Sequence, residues 1–352
     1  MIIMELIKIS GTPYERGYEF GKKFKDKIKA CIKSEDKFWS ARASLEQIRE
    51  SAKKNEKIFE SFAPELLEEI SGLGDGCGLE YERLLGSTIS SPYFLPAFCS
   101  AFVASGSLTK DGKPIMGRNV EWSRDSKKHI RYVFARPREG YAHICSRDLD
   151  SVGYYDGINE RGLAIAWAGV FASKPEVAPG LLMFFITKLV LERCSDAEEA
   201  IKLIGSVPMA NASNFIISDA NEAAIVETTS RHRVVKRLKR ANRGNFLVIT
   251  NNFTSPKMRK YDVIRKIIRK KWPKLADPRI ERYTKLIKEH AGLIDAKAAK
   301  RILSDHEGFI CAHGNGRGMS ETISSFIALP ESKSVSYANG TPCKAKYFNF
   351  KI

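Results

Sequence analysis

Cys99 stands where a helical opening segment gives way to the first strand-like run, Ser100-Ala101-Phe102-Val103-Ala104-Ser105. A thiol at a strand start is by default a small buried apolar group, and it becomes a nucleophile only where the chain supplies a base. Two histidines offer one route, because His306 or His313 could take the thiol proton in the manner of a papain-type pair. The same stretch admits a metal reading, with Asp305, His306, Cys311, His313 and Cys343 as donors. Their spacing matches no zinc template, however, so strand-end packing is the preferred reading and no metal is expected. His313 opens the loop Gly314-Asn315-Gly316-Arg317-Gly318, whose glycines would let the backbone approach a ligand while Arg317 binds an acyl carboxylate or phosphate. Asn211 and Ser213, just ahead of a strand, are candidates to support a substrate pocket, against the plainer role of loop caps.

Further short motifs follow Cys99 in order: Gly117-Arg118-Asn119-Val120-Glu121-Trp122, then Asp156-Gly157-Ile158-Asn159-Glu160-Arg161-Gly162-Leu163, which reads as a tight turn into a strand, then Ile249-Thr250-Asn251-Asn252-Phe253. Ile310-Cys311-Ala312-His313 and Gly340-Thr341-Pro342-Cys343 complete the series, and Gly11-Thr12-Pro13-Tyr14-Glu15-Arg16-Gly17 with Gly21 opens the chain. Together these motifs resemble the acyl-coenzyme A:6-aminopenicillanate acyltransferase family of N-terminal-nucleophile hydrolases, over nearly the whole chain. The resemblance implies an α+β fold, a four-layer αββα sandwich with a mostly helical N-terminal segment. It also implies a precursor that cuts itself between Phe98 and Cys99, leaving residues 1–98 as a helical chain and 99–352 as the catalytic core.

Cys99 would then be the nucleophile, Asn251 the donor to the oxyanion, and Arg118 with Glu121 the pair that holds the new α-amino group. Glu121 stands where the family usually has aspartate. Arg118 and Glu121 are three residues apart, so both reach one site only if their strand ends or bulges near Asn119. The implied chemistry is hydrolysis of linear amides or thioesters, or acyl transfer to an amine. It uses no cofactor, has acyl-coenzyme A as a candidate cosubstrate, and keeps the cleaved N-terminal segment as a partner. The physical logic is simple: a free α-amino group has a pKa of about 7.7–8.0, so a new terminus can serve as base for its own thiol.

The elements that must position these residues are legible in outline. Apolar residues recur at helical spacing over Tyr14–Ala30 and Ser44–Phe62, and Pro64 opens a third helix that ends near Gly72 and Gly74. After Pro96 the texture turns to short β-rich runs, beginning with a hairpin around Asp111-Gly112. Strands are predicted over 132–136, 141–145, 163–170, 214–218, 223–228, 234–238, 246–249, 324–329 and 334–338, and helices over 181–192 and 196–205. A basic stretch from Lys257 to Lys288 reads as helical with breaks at Pro273 and Pro278; within it Tyr261, Ile264, Ile267 and Ile268 mark a packed face. Meandering strands with helices in separate blocks argue for an antiparallel sheet system between helices.

Composition narrows the function classes. With 43% apolar residues the chain can bury a full core. No run reaches the ~18 apolar residues of a membrane-spanning helix, and the opening Met1–Ser10 lacks the features of a secretory signal, so a cytoplasmic protein is expected. The seven cysteines are scattered and odd in number, which argues against a disulfide scaffold. Fifty-eight Lys and Arg residues against 41 Asp and Glu give a net charge of +17, which favours anionic partners in general. The basic runs at 231–243 and 257–271 suit coenzyme A phosphates or simply a solvated face, while nucleic acid is disfavoured because no zinc-finger, RNP or P-loop pattern is present. The rival to the enzyme is an uncleaved, non-catalytic basic binding protein of the same fold that contacts an anionic partner.

Overall fold

The computed structural model describes residues 4–39, 44–89, 98–172, 176–239, 245–263, 278–314 and 320–352. Among these residues two sheets lie face to face. The first runs β1 (Leu6–Gly11), β4 (Ile130–Pro137), β5 (His143–Asp148), β6 (Asp156–Asn159), β7 (Ala164–Gly169), β8 (Ser213–Ser218), β9 (Glu222–Thr228), β10 (Arg233–Lys239), in that spatial order. The second runs β11 (Phe246–Ile249), β2 (Phe98–Ala104), β3 (Ile115–Trp122), β12 (Glu321–Leu329), β13 (Ser334–Asn339), β14 (Tyr347–Lys351). Every pairing is antiparallel except β1 with β4. Helices α5 (Met183–Arg193) and α6 (Ala197–Ser206) cover the first sheet, while α7 (Pro278–Glu289) and α8 (Ala296–Leu303) cover the second. The chain therefore has the α+β, four-layer αββα architecture.

The sequence shows why the layers close. β7, β8 and β12 are buried on both faces and read as nearly unbroken runs such as Ala164-Ile165-Ala166-Trp167, whereas β1, at a sheet edge, alternates buried Ile7 and Ile9 with outward Lys8 and Ser10. The hairpin turn before β3 is closed by Gly112 at φ +74° and by Asp111, whose side chain accepts from the Lys113 amide. Ahead of the sandwich come α1 (Pro13–Trp39), α2 (Leu45–Phe62), α3 (Pro64–Cys77) and α4 (Tyr81–Ile89). Ser44 and Gln47 form a capping box at the start of α2, and Gly78, at φ +66°, ends α3.

The segment is thus mostly helical, but it also supplies an edge strand, β1, to the first sheet. The elements that the sequence did not announce include β1, α4, β14 and α8, and Asp156 lies in a strand, β6, ahead of the turn at 160–162. Of the packed face at Tyr261, Ile264, Ile267 and Ile268, the three isoleucines lie outside the described residues; residues 259–261 form a single tight turn. No helix among the described residues is long and apolar enough to cross a membrane.

Candidate active site

β2 sits inside the second sheet, hydrogen-bonded to β11 on one side and β3 on the other, with β7 packed against its inner face. The apolar run Ala101-Phe102-Val103-Ala104 suits that sandwiched position, and Cys99, near its beginning, is fully buried. Cys99 pairs with Val120 and Ala101 with Arg118, so Cys99, Val120 and Arg118 point together into the space between the sheets. There Arg118 Nη2 donates to Cys99 Sγ at 3.4 Å and to the Trp167 carbonyl at 2.9 Å, while Nη1 pairs with Asp156 Oδ2 at 2.5 Å. The guanidinium also lies 5.2 Å from the Trp167 ring and 5.7 Å from the Tyr155 ring. Burial pushes the Cys99 thiol up to about 11, although the Arg118 charge pulls the other way.

Asn251 follows β11 and comes to the amide of Cys99. Its Oδ1 accepts from the Cys99 N–H at 3.0 Å, and its Nδ2 donates to the Gly169 carbonyl at 2.8 Å. The turn carrying it is fixed by Asn214 on β8, whose amide donates to the carbonyls of Thr250 and Asn252 at 2.8 and 3.0 Å. Arg279, in the first turn of α7, completes the group. It donates to the Cys99 carbonyl at 3.2 Å and to Asn251 Oδ1 at 3.0 Å. Asn251 thus presents an oxygen to the backbone nitrogen of Cys99.

Glu121 does not join Arg118 on the inner face. β3 pairs with β2 without a break from Ile115 to Glu121, so residues 118 and 121 point to opposite sides. The irregularity near this point lies instead in β12, between Thr322 and Ser324. Glu121 looks outward to the helical layer, where Thr322 donates to one carboxylate oxygen at 3.4 Å and Arg279 Nη1 lies 3.7 Å from the other. Burial pushes its carboxyl up to about 8, against the pull of Arg279 and Arg118. Arg279 therefore links Glu121 on one face to the Cys99 carbonyl and Asn251, and it is the member that sequence reasoning missed. Its one visible signal was position: it follows Pro278, which opens α7.

Ser213 stands opposite Gly169, the acceptor of Asn251, in the β7–β8 pairing, but turns its hydroxyl to the Ala212 carbonyl; Asn211 is buried in the turn leading to β8. Arg317 lies outside the described residues. His306 and His313 contact each other rather than Cys99, with their Nε2 atoms 3.2 Å apart. A cavity of about 880 Å³ opens elsewhere, between α1, β4 and the β13–β14 turn, with Lys27, Arg124, Lys127, Arg131 and Lys344 on its walls. Neither Cys99 nor Asn251 lines it.

Residues 107–344 match the family described as acyl-coenzyme A:6-aminopenicillanic acid acyl-transferase, a span that begins shortly after Cys99. An uncharacterized protein of Archaeoglobus fulgidus is 22% identical in an alignment covering 85% of this chain and 57% of the relative, so the chain spans little more than half that relative's length. Among solved structures, the N-acylethanolamine-hydrolyzing acid amidase ortholog of Caenorhabditis elegans is 19% identical at a TM-score of 0.49, covering 66% of this chain and 93% of its own. Penicillin V acylase from Agrobacterium tumefaciens is also 19% identical at a TM-score of 0.48, covering 72% and 86%. A variant of the conjugated bile acid hydrolase from Clostridium perfringens is 15% identical at a TM-score of 0.46, covering 72% and 97%.

Proposed function

This chain belongs to the acyl-coenzyme A:6-aminopenicillanic acid acyl-transferase family, and on that footing we propose that it is a thiol-dependent amide hydrolase or acyltransferase whose nucleophile, Cys99, becomes a chain terminus by self-cleavage. The observation that carries this reading is the treatment of Cys99 itself. Its sulfur is held by Arg118 and its backbone nitrogen by Asn251, so the atoms that would become nucleophile and base are both fixed by side chains from other strands or turns.

In the cutting step Cys99 Sγ attacks the Phe98 carbonyl carbon, the C–N bond breaks, and the thiol proton passes to the released nitrogen. Water then hydrolyses the thioester, leaving a Phe98 carboxylate, a free thiol and a free α-amine. Residues 1–98 and 99–352 become separate chains. In turnover the α-amine takes the thiol proton, the thiolate attacks a small-molecule amide or thioester, and the protonated leaving group departs. The acyl-enzyme passes its acyl group to water or to an amine. Arg118 stabilises the thiolate, and Asn251 Oδ1 with Arg279 positions the terminal nitrogen and carbonyl. Asn251 Nδ2 carries two hydrogens, so it can keep its bond to the Gly169 carbonyl and offer the second to the oxyanion.

The second reading, an uncut binding protein, draws on the complete burial of Cys99 and the raised pKa of its thiol. Intact-mass measurement under denaturing conditions separates the two. Wild-type protein should give two fragments meeting at Phe98/Cys99 and Cys99→Ala a single chain, whereas an uncut wild type after prolonged incubation at alkaline pH would hand the site to the binding protein.

A further inference from the structure

We propose that His306, Cys311, His313 and Cys343 form a closed, four-coordinate metal site of the zinc class, at the rim of the second sheet and apart from the Cys99 group. One donor atom from each residue lies within 4.8 Å of all the others. The two Nε2 atoms are 3.2 Å apart, His313 Nε2 is 3.3 Å from Cys343 Sγ and 3.6 Å from Cys311 Sγ, and the two sulfurs are 3.7 Å apart. A tetrahedral zinc ion with Zn–S of about 2.3 Å and Zn–N of about 2.05 Å requires N–N edges of about 3.3 Å, N–S edges of about 3.6 Å and an S–S edge of about 3.8 Å. Four of the six edges fit that figure, and the other two, from His306 to the sulfurs, are no longer than 4.8 Å. A disulfide does not, since its sulfurs would be about 2.05 Å apart.

The local backbone is built to bring these donors together. Cys311 and His313 are two apart, and Cys311 Sγ lies 3.6 Å from His313 Nε2. His306 reaches them because the chain doubles back: the Cys311 amide donates to the Asp305 carbonyl at 2.8 Å, and two successive residues within the turn have positive φ, Gly308 at +65° and Phe309 at +63°. Phe309 is a bulky residue in a conformation that suits glycine, and its ring is 58% exposed, so packing of that ring does not account for the strain. Cys343 arrives from the turn after β13, where Lys344 and Ala345 amides donate to the Thr341 carbonyl. The Cys-x-His spacing looked wrong for zinc because the template assumes paired ligands in one loop, whereas these come from a reversed turn and a remote one.

Soft sulfur and imidazole donors select zinc over magnesium or calcium, and four protein ligands leave no open position for substrate. The ion would therefore act as a clasp between the two turns. It would also steady the site's outer face, because Ala312, between two ligands, exchanges hydrogen bonds with Thr322: the Ala312 amide donates to Thr322 Oγ1 at 2.9 Å and the Thr322 amide to the Ala312 carbonyl at 2.9 Å. Thr322 is the residue whose hydroxyl meets Glu121.

The test uses the full chain purified under reducing conditions, with metal analysis and titration by cobalt(II) chloride. About one zinc ion per chain is expected, together with the intense visible bands of tetrahedral cobalt and a sulfur-to-metal charge-transfer band. Cys343→Ala and His306→Ala, both changes near the surface, should lose the bands while circular dichroism and gel-filtration volume stay as in the wild type. A folded wild type with neither zinc nor a cobalt spectrum would overturn the proposal, as would variants that bind cobalt like the wild type. So would a Cys311–Cys343 disulfide, seen as a mass deficit of two hydrogens that reduction restores. Should the variants fail to fold, removal of metal from the wild type by chelator decides: a lowered melting temperature regained on adding zinc supports the site, and an unchanged one sinks it.

Discussion

Two buried ionisable groups flank the peptide between Phe98 and Cys99, and both titrate far from their usual ranges. With the thiol of Cys99 pushed up to about 11, about one molecule in ten thousand carries a thiolate at pH 7. If thiolate attack limits self-cleavage, the rate of fragment formation should rise about tenfold per pH unit between pH 7 and about 10; a flat profile, followed by mass spectrometry, would remove the thiolate from that step. Glu121 makes the second prediction. Its folded pKa of about 8 exceeds the ordinary carboxyl value, so folding favours the protonated form, and the stability this contributes is complete below about pH 4.5 and lost as pH rises through about 8. In a Cys99→Ala background, which keeps the chain in one piece, denaturant midpoints should fall from pH 5 to pH 8, and Glu121→Gln should flatten that fall. At this scale the sequence motifs located Cys99, Arg118 and Asn251, which the structure brings together, but not Arg279, whose partners are 180 and 28 residues away and which sat among many other cations. The face of Glu121 was decided by an unbroken strand pairing, which no motif reports.

Among the elements, α1 and α3 owe their close approach to glycine. A Cβ added to Gly72 would lie 2.1 Å from the Tyr14 carbonyl oxygen, one on Gly76 2.2 Å from that of Tyr18, and one on Gly17 2.1 Å from that of Glu69. Backbones pack against each other where side chains would normally intervene, and this explains why Gly17 and Gly21 stand four apart in the opening motif. Gly72→Ala should therefore cost about 1–3 kcal/mol through overpacking. Gly205 in α6 has open space around it, so Gly205→Ala should instead stabilise by up to about 1 kcal/mol. Thermal melts of the two variants give opposite signs if the helix contact is as described. Most strands and the principal helices were readable from period and punctuation. β1 was not, because Leu6–Gly11 acquires its partner, Tyr132–Pro137, only through tertiary folding. β6 was not, because Asp156, Gly157 and Asn159 are turn formers; here Gly157 is required by the Ile144 carbonyl, 2.6 Å from where a Cβ would stand.

The molecule as a whole is joined across the proposed cut by a buried charge cluster. Glu69 on α3 meets Arg16 of α1, Arg147 of β5 and Lys188 of α5 at 3.0, 3.4 and 2.8 Å, and Glu192 of α5 meets Arg16 and Lys188. Burial opposes the charge on Glu69, yet Lys188, Arg16 and Arg147 hold its carboxyl down at about 2. The folded pKa lies below the unfolded one, so its contribution is complete above about pH 4.5 and lost as pH falls through about 2. Fragments 1–98 and 99–352 should accordingly co-elute on gel filtration at neutral pH and separate only in strong acid. Glu69→Gln, which leaves three buried cations facing one carboxylate, should cost about 3–5 kcal/mol and release the smaller fragment; co-elution of the variant fragments would count against the cluster as the tie.

The pairing of β1 with β4 then acquires a temporal meaning. In the uncut chain the strand at Leu6–Gly11 finds its partner as part of one polymer, at an effective concentration set by the intervening chain, which holds α1–α4, β2 and β3. After the cut the same pairing is a meeting of two molecules, and its return after denaturation slows with dilution. If the proposed cut is made, the protein assembles quickly once and reassembles slowly thereafter, so its working life would be governed by how seldom it opens rather than by how readily it closes.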